Sequence, residues 1–159
     1  MVEKEIVLSP EGLKKLEAEL DYLKTVRRRE VAERIKVARQ FGDLGENSEY
    51  DDAKNEQAFV EGRIAELENL LRYARVLNRE TIDPEKVGLG SRVTLRDMET
   101  GEEFQYTIVS SAEADPADGR ISDQSPVGRS VMGQKVGTVV EVNAPLGRFR
   151  YEIVDLGRG

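Results

Sequence analysis

Leu13, Leu16, Leu20 and Leu23 recur at spacings of 3, 4 and 3 along an otherwise polar stretch. That rhythm is the seam of an amphipathic helix packing against a single partner. Ser9-Pro10-Glu11 precedes it: a capping residue, a proline suited to the first helical position and an acid at the positive end of the dipole. The seam resumes at Val31, Ile35 and Ala38, shifted in phase through Arg27. This reads as a four-residue stutter that unwinds a supercoil locally. Phe41-Gly42-Asp43-Leu44-Gly45 then breaks the pattern. A second seam runs through Tyr50, Ala53, Gln57, Val60, Ile64, Leu67, Leu71 and Ala74, with Leu77 closing it and Pro84 stopping it. Two long striped segments joined by a short glycine-bearing turn fold back on each other as an antiparallel helical hairpin. Arms of roughly 30 residues reach about 45 Å, more than a compact domain needs.

Beyond Pro84 the period changes. Arg92 to Arg96 alternate, Met98-Glu99-Thr100-Gly101 is turn-like, and Phe104, Tyr106 and Ile108 share a face of the next strand. Asp115-Pro116 and Asp118-Gly119 mark a loop, and Ser125-Pro126 opens a short helix ending near Gly133. Thr138 to Val142 and Phe149 to Val154 read as two further strands. The expected organisation is a helical hairpin over 1–79, a linker over 80–89, and a small α+β domain over 90–159.

Composition narrows the chemistry. The 159 residues contain no cysteine and no histidine. That removes disulfides, thiolate nucleophiles, Ser–His pairs and the usual soft metal ligands. Any metal must be a hard cation held by oxygen. The formal net charge is −7, so the overall field does not attract nucleic acid. Met1 to Pro10 lack the apolar core of a signal peptide, and no run reaches membrane-spanning length. A cytoplasmic monomer is expected, since the hairpin satisfies its own seam.

The turn between the helices concentrates acid. Five carboxylates lie between Asp43 and Asp52, with no basic residue among them. Crowded like charges call for a positive partner, such as a divalent ion. Asp43-x-x-Glu46 also has the spacing of a capping box at a helix start, and on spacing alone that structural reading leads. The two readings are compatible. Two carboxylates on a protruding tip make half a Mg²⁺ site, useful when another macromolecule supplies the rest.

A basic run, Arg27-Arg28-Arg29, is followed by Arg34, Lys36 and Arg39. Arg28, Lys36 and Arg39 are placed to line one side of the helix and offer phosphates a stripe. The competing reading pairs these bases with Glu30, Glu33 and acids of the second helix, and it is favoured without other information. Phe104, Tyr106, Phe149 and Tyr151 are read as cross-strand packing in preference to a peptide pocket.

The tip Gly42-Asp43-Leu44-Gly45-Glu46-Asn47-Ser48-Glu49-Tyr50 resembles that of the GreA/GreB family of bacterial transcript cleavage factors. So do the run Asn55 to Ile64, the stretch Leu23 to Arg28, and Ile121-Ser122 with Ser125-Pro126 and Val127 to Gly133. The resemblance spans nearly the whole chain. It implies an N-terminal coiled-coil hairpin and a C-terminal FKBP-like α+β domain that docks at the rim of the RNA polymerase secondary channel. It further implies that the hairpin brings Asp43 and Glu46 to the polymerase active site, where they help hold a second Mg²⁺. The backtracked nascent RNA would then be cut near its 3′ end by the polymerase, the protein being no nuclease alone. Ser48 would help orient the ion's water shell, and Arg28, Lys36 and Arg39 would contact the extruded RNA. Gly45 departs from the polar residue many relatives carry. The acidic balance, with Glu30 and Glu33 breaking the basic stretch, favours the subtype acting on short backtracked RNAs. The alternatives are an inhibitory paralogue that blocks the same channel, and a coiled-coil chaperone or prolyl isomerase.

Overall fold

A computed structural model describes residues 5–40 and 47–159 of the chain. The elements run β1 (Ile6–Leu8), α1 (Pro10–Tyr22), a π-helical turn (Leu23–Arg27), α2 (Arg28–Gln40), α3 (Ser48–Arg72) and β2 (Ala74–Val76). They continue with β3 (Ser91–Asp97), β4 (Glu103–Val109), β5 (Arg120–Ser122), α4 (Pro126–Val131), β6 (Val139–Ala144) and β7 (Gly147–Arg158). Contacts divide the chain into a unit built on Glu11–Ala74 and a second that joins Glu5–Pro10 to Arg75–Gly159.

In the first unit the two seams meet. Val31 and Ile35 of α2 bury against Ala53, Val60 and Ile64 of α3, with Leu20, Leu23 and Tyr50 packed around them. Ion pairs fix the antiparallel sense: Arg34 pairs with Glu56, Arg28 with Glu61 and Lys24 with Glu68, so partners climb one helix as they descend the other. Each exposed pair is worth about 0–1 kcal/mol. Their main effect is on register.

Two details differ from the sequence expectation. The phase shift near Arg27 is absorbed inside the helix by the π turn, where the Arg28 N–H reaches back five residues to the Leu23 carbonyl. One extra residue is housed in one wide turn, so the seam returns to the partner without unwinding over a whole stutter. The second helix also stops earlier: α3 ends at Arg72, so Ala74 and Leu77 are not helical. Ala74 begins β2, which pairs with β1, and the Leu77 N–H donates to the Leu8 carbonyl at 2.7 Å.

The second unit is a five-stranded mixed sheet in the order β5-β4-β3-β7-β6. β4 and β5 run parallel and the other neighbours antiparallel. A bulge on the β7 side interrupts the β3–β7 register between Thr94 and Leu95. Val93, Leu95, Ile108, Val131, Val142 and Ile153 form the core between the sheet and α4. The segment 80–89, expected as a linker, belongs to this unit. Val87 is buried in its core, bonding through its N–H to the Gln134 carbonyl and through its carbonyl to the Gly133 N–H. At the head of α4 the Ser125 hydroxyl accepts from the Gly128 N–H at 3.1 Å. Gly128 is obligatory, because a Cβ there would lie 2.0 Å from the Ser122 carbonyl oxygen.

Candidate functional site

The end of the hairpin is held by a residue that the sequence reading passed over. Asn47 is the N-cap of α3: its side-chain oxygen accepts from the Tyr50 N–H at 3.1 Å. Its amide nitrogen donates to the Ala38 carbonyl at 2.8 Å. One side chain thus satisfies an orphan donor at the start of α3 and a carbonyl in the last turn of α2, tying the arms together where they turn. The available signal was that asparagine, a leading N-cap residue, stands directly before Ser-Glu-Tyr.

This corrects the capping-box reading. The cap lies four residues beyond Asp43, so Asp43-x-x-Glu46 does not open α3. Asp43 and Glu46 themselves lie outside the described residues. Ser48 is the exposed first residue of α3. Glu49 and Asp51 occupy the first turn, where the dipole favours negative charge. Among the described residues no three acids cluster closely enough to hold a metal ion.

The basic side of the shaft is largely engaged within the hairpin. Arg28 forms a two-pronged bond to Glu61 at 2.9 and 2.8 Å. That bond holds the Glu61 carboxyl below the usual carboxylate range and raises the Arg28 guanidinium. Arg27 pairs with Glu30 and Glu56, and Arg34 with Glu56 and Glu49. Arg39 instead sits over the Tyr50 ring, 5.9 Å from its centroid, in cation–π range. Lys36 is exposed with no ion pair among the described residues. Of the expected stripe, then, Arg28 is engaged by Glu61, while Lys36 and Arg39 have no carboxylate partner among the described residues.

Further along the hairpin, Arg63 bonds Glu19 at 2.7 and 2.9 Å and Glu66 at 2.8 Å. The Glu19 carboxyl is lowered chiefly by its bond to Arg63, against a smaller opposing effect of burial.

In the second unit the four aromatics pack as structural residues. Phe104 stacks on Tyr106 at 6.4 Å, Phe149 on Tyr151 at 6.2 Å, and Phe104 meets Tyr151 edge-on at 6.4 Å. Burial raises the Tyr151 phenol. Another cluster was not foreseen. The Glu113 side chain, 6% exposed, accepts from the N–H and hydroxyl of Ser9 at 2.8 and 2.6 Å and from Arg120 at 2.9 Å. Nothing in residue order links positions more than 100 apart.

Residues 6–76 match the family described as "Transcription elongation factor, N-terminal", and residues 82–158 match "Transcription elongation factor, GreA/GreB, C-term". The chain is 56% identical over 153 residues to the "Transcription elongation factor GreA" of Thermoanaerobacter pseudethanolicus, covering 96% of this chain and 98% of that protein. It is 57% identical over 152 residues to the protein of the same description from Syntrophomonas wolfei, covering 96% of each. A crystal structure of GreA factor homolog 1 of Thermus thermophilus aligns at 31% identity with a TM-score of 0.45, covering 97% of this chain and 99% of that one.

Proposed function

From the premise that the chain belongs to the GreA/GreB family of transcription elongation factors, we propose that it acts inside the polymerase secondary channel. There it stimulates the polymerase's own Mg²⁺-dependent cleavage of backtracked RNA, which rescues arrested complexes. The second unit serves as the docking module at the channel rim, and the hairpin carries Asp43 and Glu46 to the active site.

One observation supports this assignment most directly. Asn47 caps α3 and also ties α2 to it. Capping of α3 therefore does not account for the Asp43-x-x-Glu46 pair, whose acids stand between α2 and α3 in the sequence. The donor set also fits the ion. A chain without cysteine or histidine offers carboxylate oxygens, the ligands Mg²⁺ takes one or two at a time beside waters and phosphate oxygens. When bound, the ion supplies charge stabilisation and an activated water for phosphodiester hydrolysis. Asp43 and Glu46 would contribute two of its ligands, and Ser48, exposed at the first position of α3, would hydrogen-bond its water shell. Lys36 and Arg39, free of carboxylate partners among the described residues, are better placed than Arg28 to meet the phosphates of the extruded RNA.

The experiment is RNA cleavage in arrested, backtracked polymerase complexes with Mg²⁺, comparing wild type with Asp43→Asn and Glu46→Gln. The expected result is stimulation by wild type and a loss of about a hundredfold or more in each variant, with polymerase binding retained. Variants that cleave like wild type would remove the two carboxylates from the mechanism. A wild type that slows cleavage would assign the chain to the inhibitory reading.

A further inference from the structure

The outer face of α3 carries a feature that neither the hairpin seam nor the acidic tip uses. Phe59 is 75% exposed, in a helix whose apolar seam residues Ala53, Val60, Ile64 and Leu67 are all buried on another side. Three residues on, and so on the same face, is Gly62. A Cβ at Gly62 would meet nothing within 4 Å and its backbone is not left-handed. Glycine weakens a helix interior relative to alanine, and no neighbour among the described residues requires it here. A large exposed ring beside a bare stretch of backbone makes a knob next to a hollow, the complement of a surface that comes close to the helix.

Charge says what kind of surface. Asp51 and Asp52 lie on the tipward part of this face, exposed and without an ion pair among the described residues. The base at its edge, Arg63, is already bonded to Glu19 and Glu66. Glu66, on the same face beyond Gly62, is exposed but paired with Arg63, so the face has the Phe59 ring at its centre and its unpaired acids towards the tip. It calls for an apolar hollow with basic groups on the tipward side. A second copy of this same acidic face does not supply that.

We propose that the Phe59–Gly62 face of α3 is a docking surface for the wall of the polymerase channel, an apolar hollow with a basic margin that receives the Phe59 ring and closes on the Gly62 backbone. This rests on the hairpin entering the polymerase, and it assigns α3 the role of a positioning element for the tip.

The test measures direct binding of the fluorescently labelled full chain to polymerase, and cleavage in backtracked complexes as a function of factor concentration. The variants are Phe59→Ala, Phe59→Leu and Gly62→Leu. Circular dichroism melting checks that the hairpin remains folded, as expected for exposed positions. Expected are a rise of about tenfold in both the dissociation constant and the half-maximal concentration for Phe59→Ala and Gly62→Leu. The cleavage rate at saturation should hold, and Phe59→Leu should recover most of the affinity. Unchanged affinity in Phe59→Ala overturns the proposal, as does a loss confined to the saturating rate. A Phe59-dependent dimer in sedimentation would also overturn it, since the occupant would be a second copy. If wild type binds polymerase through Phe59 but does not stimulate cleavage, the docking surface stands and the proposed function falls. If wild type does not bind polymerase, both fall.

Discussion

Asn47 makes two bonds that separate cleanly by substitution. Asn47→Ala removes the cap on α3 and the tie to Ala38 together, and should cost about 1–2 kcal/mol in chemical denaturation. Asn47→Asp keeps an oxygen for the Tyr50 N–H but loses the donor to the Ala38 carbonyl, so it should fall between wild type and Asn47→Ala. Equal stability of all three would show that the cap contributes nothing. The acids stood out by their density between Asp43 and Asp52. Residue order pointed to Asp43 as the cap through its spacing to Glu46, whereas Asn47 caps α3; both residue types are good caps, and the choice depends on where the chain re-enters the pair of helices. Glu113 was illegible for a different reason: its value as an acceptor arises only when Ser9 and Arg120 are brought to it.

The π turn over Leu23–Arg27 gives the first helix an explicit mechanical reading. It holds one residue more than an α-helical turn. Deleting exposed Thr25 should convert it to α-helix and bring Leu20, Leu23, Val31, Ile35 and Ala38 onto a regular seam. The hairpin should stay folded, with Tm shifted by no more than about 5 °C. Deleting Asn55 from α3 has no such slack to absorb it. It rotates Val60 and Ile64 away from α2, and each buried aliphatic side chain is worth about 1.5–3 kcal/mol. That deletion should abolish the cooperative melt, and a Thr25 deletion that does the same would refute the π-turn account.

The ion pairs of the same hairpin predict a pH response. Glu19 and Glu61 are both held below their ordinary value of 4.5, first of all by hydrogen bonds from Arg63 and Arg28. A carboxylate depressed in the folded state stabilises above its unfolded value, and that stability is lost as pH falls through the folded one. Thermal melts should therefore be flat near neutrality and fall below about pH 4.5, the fall being smaller in Glu19→Gln and Glu61→Gln. The Arg28–Glu61 pair is solvent-exposed and the Arg63–Glu19 pair half-buried, so the effect should shrink in high salt, more for Glu61 than for Glu19.

For the whole molecule, the proposed role makes the chain a cofactor protein. Two carboxylates, Asp43 and Glu46, make only half a Mg²⁺ site, and the net charge of −7 opposes free RNA. Incubation with naked RNA and Mg²⁺ should give no cleavage above buffer, at concentrations that act fully in backtracked complexes. Cleavage of naked RNA would contradict the division of labour between factor and polymerase.

Residue order alone determined the helical hairpin, the sheet strands β3, β4, β6 and β7, and the resemblance carried by the tip and second helix. These are periodic or locally dense signals: a 3–4 apolar spacing, a two-residue alternation, five acids between Asp43 and Asp52 with no base among them. Tertiary structure decided the rest. It took Glu5–Pro10 from the hairpin to the second unit and set Val87 and Leu89 of the 80–89 segment on a core. It ended α3 at Arg72 so that Ala74 and its neighbours could pair with β1, and it matched Arg28 to Glu61. In each case the deciding partner lies far away along the chain. Local propensity ranks what a segment can form, but burial, strand pairing and charge neutralisation depend on which distant groups the fold delivers to it.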